Sequence, residues 1–160
     1  MYYLLSFITT VFAIKSCKPL LSFLYKTNII VVSVNIPSIN VNYPILTTRT
    51  PGHLDTLLKI SVCKFHGASP NQIGNLCIVG HNYRNSMFFS KVPTLEIGDI
   101  IEITDLSGTT LEYSVYDKYI VNPDNVDCTS QLTNGRKEIT LITCTNDNKQ
   151  RHIIKATEVL

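Results

Sequence analysis

From Asn28 to the C-terminus the chain is written in short β-branched runs, each broken by Gly, Pro, Asn or Asp, and few folds accept that pattern. The runs "IIVVSVNIP", "INVNYPIL", "ISVCKF", "NLCIVG", "GDIIEIT", "GTTLEYSVYDKYIV", "EITLIT" and "RHIIKAT" read as strands. About eight strands in roughly 130 residues make an all-β domain, and either a closed barrel or a sandwich satisfies the pattern. Pro37 and Pro44 belong at strand ends or edges, because proline cannot donate to a ladder. Leucines and an aspartate in "HLDTLLK" predict a short helix, and Ser86 to Lys91 has room for one or two helical turns before Pro93. Between two strand runs lies the polar segment Asn122 to Lys137, "NPDNVDCTSQLTNGRK", a long connection of the kind that carries function.

The first 27 residues differ in character. Residues 1–14 carry no charged side chain, and the apolar run resumes at Leu20 after Lys15, Lys18 and Pro19. A full membrane span needs about 20 apolar residues. Residues 1–27 are therefore a candidate membrane anchor, complete or partial, with a signal segment and a buried first helix as rivals, and residues 28–160 form one domain.

Composition removes several function classes. Fourteen basic and twelve acidic residues leave a net charge of +2, with no Lys/Arg cluster interleaved with aromatics, so nothing points to nucleic acid. The five cysteines are an odd number without CxxC or CxxH spacing, which speaks against a disulfide framework and a zinc knuckle. At least one thiol is free, in a compartment that does not oxidise every thiol.

"TLITCTNDNKQR" sets the chemical question. It ends a strand at Cys144 and starts another at Arg151 after a polar reversal. A free thiol with a pKa of about 8.5 is only slightly ionised at neutral pH, so a nucleophilic cysteine needs a neighbouring imidazole or cation. Arg151 stays protonated and cannot be a base, but it can donate hydrogen bonds to an oxyanion. Of His53, His66, His81 and His152, His81 is best placed, because "NLCIVGH" delivers it to a strand end with Gly80 allowing close backbone approach. His152 faces away from Arg151 on the same strand. On residues alone, a Cys/His/Arg site competes with a buried Cys144 and a surface His81.

The combination "IVGHN", then "MFFSKVPTLEIGDIIEI", then "TLITC", then an arginine in the following strand resembles the sortases, cysteine transpeptidases of Gram-positive cell surfaces. The likeness spans roughly Asn28 to Thr157 and includes "VNIPSINVNYPI". It implies a closed eight-stranded barrel with short helices. It also implies His81, Cys144 and Arg151 as catalytic residues, Thr143 as a substrate-site residue, and Asn122 to Lys137 as a loop touching the substrate.

The implied reaction is acyl transfer. Cys144 attacks an LPxTG-like sorting signal between Thr and Gly, and the resulting thioester passes to an amine of a cell-wall precursor or a pilin. The implied location is the outer face of the cell membrane, held by the N-terminal segment. The short gap "TNDNKQ" and "GHNYRNSMFFSKV" are similar to class B or class D, while no lid of the pilin-polymerising class C is apparent. No cofactor is implied; calcium is conceivable in this family, but the spacing of Asp124/Asp127 and Glu96/Asp99 reads as solvated turn carboxylates.

The remaining marked residues have plainer readings. Cys63 and Cys77 sit in apolar runs as packing residues, Cys128 falls in the polar segment as a solvent-exposed thiol, and Cys17 belongs to the N-terminal segment. Tyr113, Tyr116 and Tyr119 scatter over both strand faces as packing residues. Two other functions stay open: a catalytically silent barrel that binds extended peptides, and a structural surface domain.

Overall fold

The computed structural model describes residues 32–48 and 52–160. The candidate anchor at 1–27 and Cys17 lie outside the described residues. The strands are β1 Val32–Ile36, β2 Val41–Leu46, β3 Val62–Gly67, β4 Gly74–Val79, β5 Ile100–Thr104, β6 Thr110–Val121, β7 Lys137–Cys144 and β8 Arg151–Glu158. They close into a barrel in the order β1-β2-β3-β4-β7-β8-β6-β5, which decides between barrel and sandwich. The pairs β2–β3 and β4–β7 are parallel, and the others are antiparallel. A parallel pair needs a crossover. Helix α1, Leu54–Leu58, lies in the first crossover and buries Leu57 and Leu58 against Leu46 and Cys63.

Period-two alternation sorts the side chains. Val34, Ile36, Ile78, Ile101, Ile103, Ile139, Leu141 and Ala156 fill the barrel with Phe88, Phe89 and Leu95 from the β4–β5 connection. A second layer forms on the outer face of β4, β7 and β8, where Cys77, Ile142 and Ile153 pack with Cys128.

Three expectations are corrected or refined. No helix forms over Ser86 to Lys91. The Asn85 side chain accepts the Met87 N–H at 2.7 Å, the Asn82 side chain accepts that of Arg84 at 3.0 Å, and such local bonds compete with helix. The segment instead forms a bridge between Asn82 and Phe88, and the helical turn comes later as a 3-10 turn at Val92–Thr94. Cys128 is buried, not solvent-exposed, because the 3-10 turn Asp127–Thr129 presses it onto Cys77, Ile142 and Ile153. Pro44 lies within β2, at the margin of the β2–β3 pairing that starts at Ile45, so it costs the ladder little.

Candidate active site

The parallel β4–β7 pair brings His81 and Cys144 together. Val79 lies opposite Ile142, and the alignment continues past the strand end, where the Gly80 N–H reaches the Ile142 carbonyl at 3.1 Å. The buried Thr143 hydroxyl then donates to the Gly80 carbonyl at 2.8 Å. Along β4 and its extension Cys77, Val79 and His81 share the outer face, and along β7 Thr140, Ile142 and Cys144 share it too. β8 adds Arg151, directly opposite Cys144, with Ile153 opposite Ile142. One face of three adjacent strands thus carries His81, Cys144 and Arg151 at its end.

Gly80 is required by space. A Cβ there would lie 2.7 Å from two ring carbons of the fully buried Phe89 and 2.9 Å from Val62 Cγ1. Beyond Gly80 the His81 carbonyl accepts the Phe89 N–H at 3.1 Å, closing the loop that follows it. The His81 ring lies 5.0 Å from that of Tyr83, Tyr83 is 5.7 Å from Phe88, and Phe88 is 5.2 Å from Tyr43. The chain of ring contacts ties the imidazole to the aromatic side chains that reach the barrel core at Phe88.

His81, Asn82, Tyr83, Arg84, Cys144 and Asn148 line one open cavity of about 300 Å³. Arg151 sits at the turn that forms its edge, where Nη1 donates to the Asn148 carbonyl at 3.4 Å and the Gln150 carbonyl at 3.0 Å. A guanidinium has five N–H donors, so Nε and Nη2 can still serve an acceptor at the strand end. The turn is tight: the Thr145 N–H bonds the Gln150 carbonyl at 3.0 Å, and Asp147 accepts the Lys149 N–H at 3.0 Å.

The Sortase domain family model matches residues 34–159. The chain belongs to the sortase family. Members of this family are cysteine transpeptidases, and the closed eight-stranded barrel is the sortase fold. Among solved structures, the chain is similar to a sortase D5 transpeptidase from Clostridium perfringens, at 28% identity and a TM-score of 0.71, covering 82% of this chain and 79% of that one. It is also similar to sortase C-1 from Actinomyces oris, at 27% identity and a TM-score of 0.70 over 81% of this chain and 73% of that one. A lid mutant of sortase A from Corynebacterium diphtheriae matches at 25% identity and a TM-score of 0.70 over 91% and 82%. The D, C and A designations place the likeness in the barrel that sortases share, not in one branch. No curated protein matches the chain.

Within this sortase, thiol environments separate the cysteines. Burial pushes the Cys63 thiol up to about 12 and the Cys77 thiol up to about 11, and burial also raises that of Cys128. Cys144 is half-buried and, alone among the described cysteines, lines the cavity. Thr143 is buried and does not line it; its visible contribution is the bond to Gly80 that fixes the approach of His81. His53 and His66 lie outside the cavity lining, and His152 faces the other way, opposite Ile120 and Thr143.

The β6–β7 connection is anchored by an interaction that sequence reading missed. The Asn75 side chain, fully buried on β4, donates to the Cys128 carbonyl at 2.9 Å and the Ser130 carbonyl at 3.0 Å, and accepts from the Thr140 hydroxyl at 2.8 Å. Gln131 bonds both the N–H and the carbonyl of Asn75, at 3.0 and 2.9 Å. Lys155 completes the cluster through Thr140 at 3.0 Å and lies 3.8 Å from the buried Glu138 carboxylate. An asparagine and a glutamine 56 positions apart give no local signal of this pairing.

Asn82 was missed as well. Its side chain donates to the Cys144 carbonyl at 3.0 Å and to Asn146 Oδ1 at 3.1 Å. Among the described residues no group of three or more His, Cys, Asp and Glu side chains could hold a metal ion. Asp99 accepts the Glu96 N–H at 2.8 Å, and Glu96 pairs with Lys118 at 3.4 Å.

Proposed function

We propose that this sortase cleaves an LPxTG-like sorting signal between Thr and Gly and transfers the acyl part to an amine. Cys144, as thiolate, attacks the Thr carbonyl carbon; Arg151 donates hydrogen bonds to the oxyanion of the tetrahedral intermediate. Protonated His81 gives its proton to the departing Gly amine as the C–N bond breaks, leaving a thioester on Cys144 and a neutral imidazole. An amine of a cell-wall precursor or a pilin lysine then attacks the thioester, His81 takes up the proton the amine loses, and the thiolate leaves. Water resolves the thioester more slowly.

The observation that carries this reading is the shared cavity of His81 and Cys144, with Arg151 paired to Cys144 across β7 and β8. In this reading the β6–β7 connection borders the peptide: its packing on the outer face of β4 and β7, below the strand ends that carry His81 and Cys144, supports that role. Residues 1–27 serve in this reading as the anchor that keeps residues 28–160 at the outer face of the membrane, close to the acceptor. No helix among the described residues is long and apolar enough to cross a membrane.

The test is a panel of LPxTG-like peptides incubated with the protein and an amine acceptor, read by mass spectrometry. The expected result is an acyl adduct on Cys144 and a transpeptidation product, both absent from Cys144→Ala. Identical behaviour of wild type and Cys144→Ala across the panel would sink the proposal.

A further inference from the structure

The nucleophile's peptide group is not held by its own strand alone. Cys144 is the last residue of β7, where ladder bonding gives out, and its carbonyl points to the neighbouring segment instead. There the buried Asn82 side chain donates to the Cys144 carbonyl at 3.0 Å and to Asn146 Oδ1 at 3.1 Å. The acceptor end of the same amide takes the Arg84 N–H at 3.0 Å. One side chain therefore joins the loop that follows His81, at Arg84, to Cys144 at the end of β7 and to Asn146 in the β7–β8 connection. Asn82 also makes the backbone bridge to Phe88, so its own main chain is fixed against the barrel core.

We infer that Asn82 is a positioning residue, a clamp that fixes the peptide group of Cys144 relative to His81; this rests on the transpeptidase reading of the same site. An asparagine fits this task because its NH₂ supplies two donors at a fixed angle while its oxygen accepts. Both hydrogens are spent on β7–β8 acceptors and the oxygen on its own loop, so the amide orientation has one solution. The N–H end of the 144–145 peptide is held by the Gln150 carbonyl at 3.0 Å; without the clamp its carbonyl end loses its partner, the peptide can tilt about that one remaining bond, and Sγ shifts with it relative to the imidazole. Displacements of about 1 Å between reacting groups cost on the order of 10²-fold in rate.

Two substitutions separate the clamp from mere loop ordering. Asn82→Ala removes all three side-chain bonds. Asn82→Asp keeps an acceptor for the Arg84 N–H but sets a carboxylate against the Cys144 carbonyl and Asn146 Oδ1. Both variants are expected to lose about 10-fold or more in kcat with KM within about threefold of wild type. Their pH profiles for iodoacetamide alkylation of Cys144, read by peptide mass spectrometry, should move toward that of His81→Ala. Asn146→Ala removes one acceptor only and should fall between them and wild type.

Wild-type kcat and wild-type alkylation profiles in Asn82→Ala would overturn the clamp. So would recovery of activity in Asn82→Asp, which assigns the residue to the Arg84 bond alone. The alkylation arm uses no sorting peptide. A wild-type protein whose Cys144 is acylated by no peptide in the panel therefore sinks the transpeptidase reading, while the alkylation comparison still decides the clamp.

Discussion

Cys144 and Arg151 are direct cross-strand partners, the last residue of β7 facing the first of β8. Opposed residues in a ladder place their side chains on the same face. Backbone pairing thus sets Arg151 and Cys144 on one face, and the Nη1 bonds to the Asn148 and Gln150 carbonyls hold the guanidinium at the turn that borders the cavity. If its task is to meet charge that develops only on the oxyanion, Arg151→Ala lowers kcat by about 10²–10³-fold with a much smaller change in KM. Arg151→Lys keeps the charge but not the fork, and should recover only part. Steady-state kinetics with one peptide and one amine acceptor check this; a variant that raises KM and leaves kcat intact would make Arg151 a binding residue instead.

Gly80→Ala tests how the fold delivers His81. The new methyl would overlap Phe89 ring carbons at 2.7 Å and Val62 Cγ1 at 2.9 Å, and neither neighbour is a flexible chain end. Overpacking of this kind costs about 1–3 kcal/mol. The expected loss in thermal midpoint is about 2–4 °C per kcal/mol for a domain of this size. Activity should fall further than stability does, because Phe89 is tied to the His81 carbonyl at 3.1 Å and cannot move without it.

The strands were legible because period-two alternation is local, and "TLITC" with an arginine after a polar turn was legible because a hairpin register follows from turn length. The meeting of His81 with Cys144 was not written in either segment. It depends on β4 and β7 lying parallel side by side, although β5 and β6 intervene in sequence, and only the family resemblance supplied that. Cys128 misled for a related reason: a polar segment reads as exposed until Asn75, 53 positions away, is seen to pull its backbone onto the barrel wall. The helix expected over Ser86 to Lys91 failed because Asn82 and Asn85 each bind a backbone N–H two residues on.

That anchoring by Asn75 can be measured. Asn75→Ala takes from the Ser130 carbonyl its only side-chain donor among the described residues, and leaves the Cys128 carbonyl with the longer bonds from Thr140 at 3.3 Å and Lys155 at 3.4 Å and the Thr140 hydroxyl with Cys128 and Lys155. One unsatisfied group costs about 1–3 kcal/mol, and denaturant unfolding should show a loss of that size. Gln131→Ala opens the connection at its exposed side and should cost about 1 kcal/mol. Hydrogen exchange over residues 122–137 should speed up in both variants, and unchanged exchange in Asn75→Ala would mean that the connection is held by other contacts.

His152 gives the stability a pH dependence of known sign. Burial, and then the Lys118 ammonium, disfavour its imidazolium and lower its pKa from the ordinary value of 6.5. The unfolded chain therefore takes up this proton more readily than the folded one. The contribution is complete above the ordinary histidine range and is lost as pH falls through the lowered pKa of the folded state. Unfolding free energies measured between pH 8 and pH 5 should decline, and His152→Gln, which cannot gain the charge, should flatten the decline. A steeper decline in the variant would reverse the assignment.

The four described cysteines should divide sharply under alkylation. Cys63 and Cys77 are fully buried with thiols pushed up to about 12 and 11, and Cys128 is buried with its thiol raised as well. Only the thiolate is nucleophilic, so at pH 8 roughly one in 10⁴ of Cys63 and one in 10³ of Cys77 would be reactive even if reagent could reach them. Cys144 opens onto the cavity and needs no such opening event. Brief iodoacetamide treatment of the folded protein at pH 8, followed by peptide mass spectrometry, should label Cys144 and leave these three unmodified. In urea above the unfolding midpoint all four should react at similar rates. Labelling of Cys77 or Cys128 in the folded protein at the rate of Cys144 would show that the β6–β7 connection lifts from the barrel wall on the labelling timescale, and that the Asn75 anchor does not hold it closed.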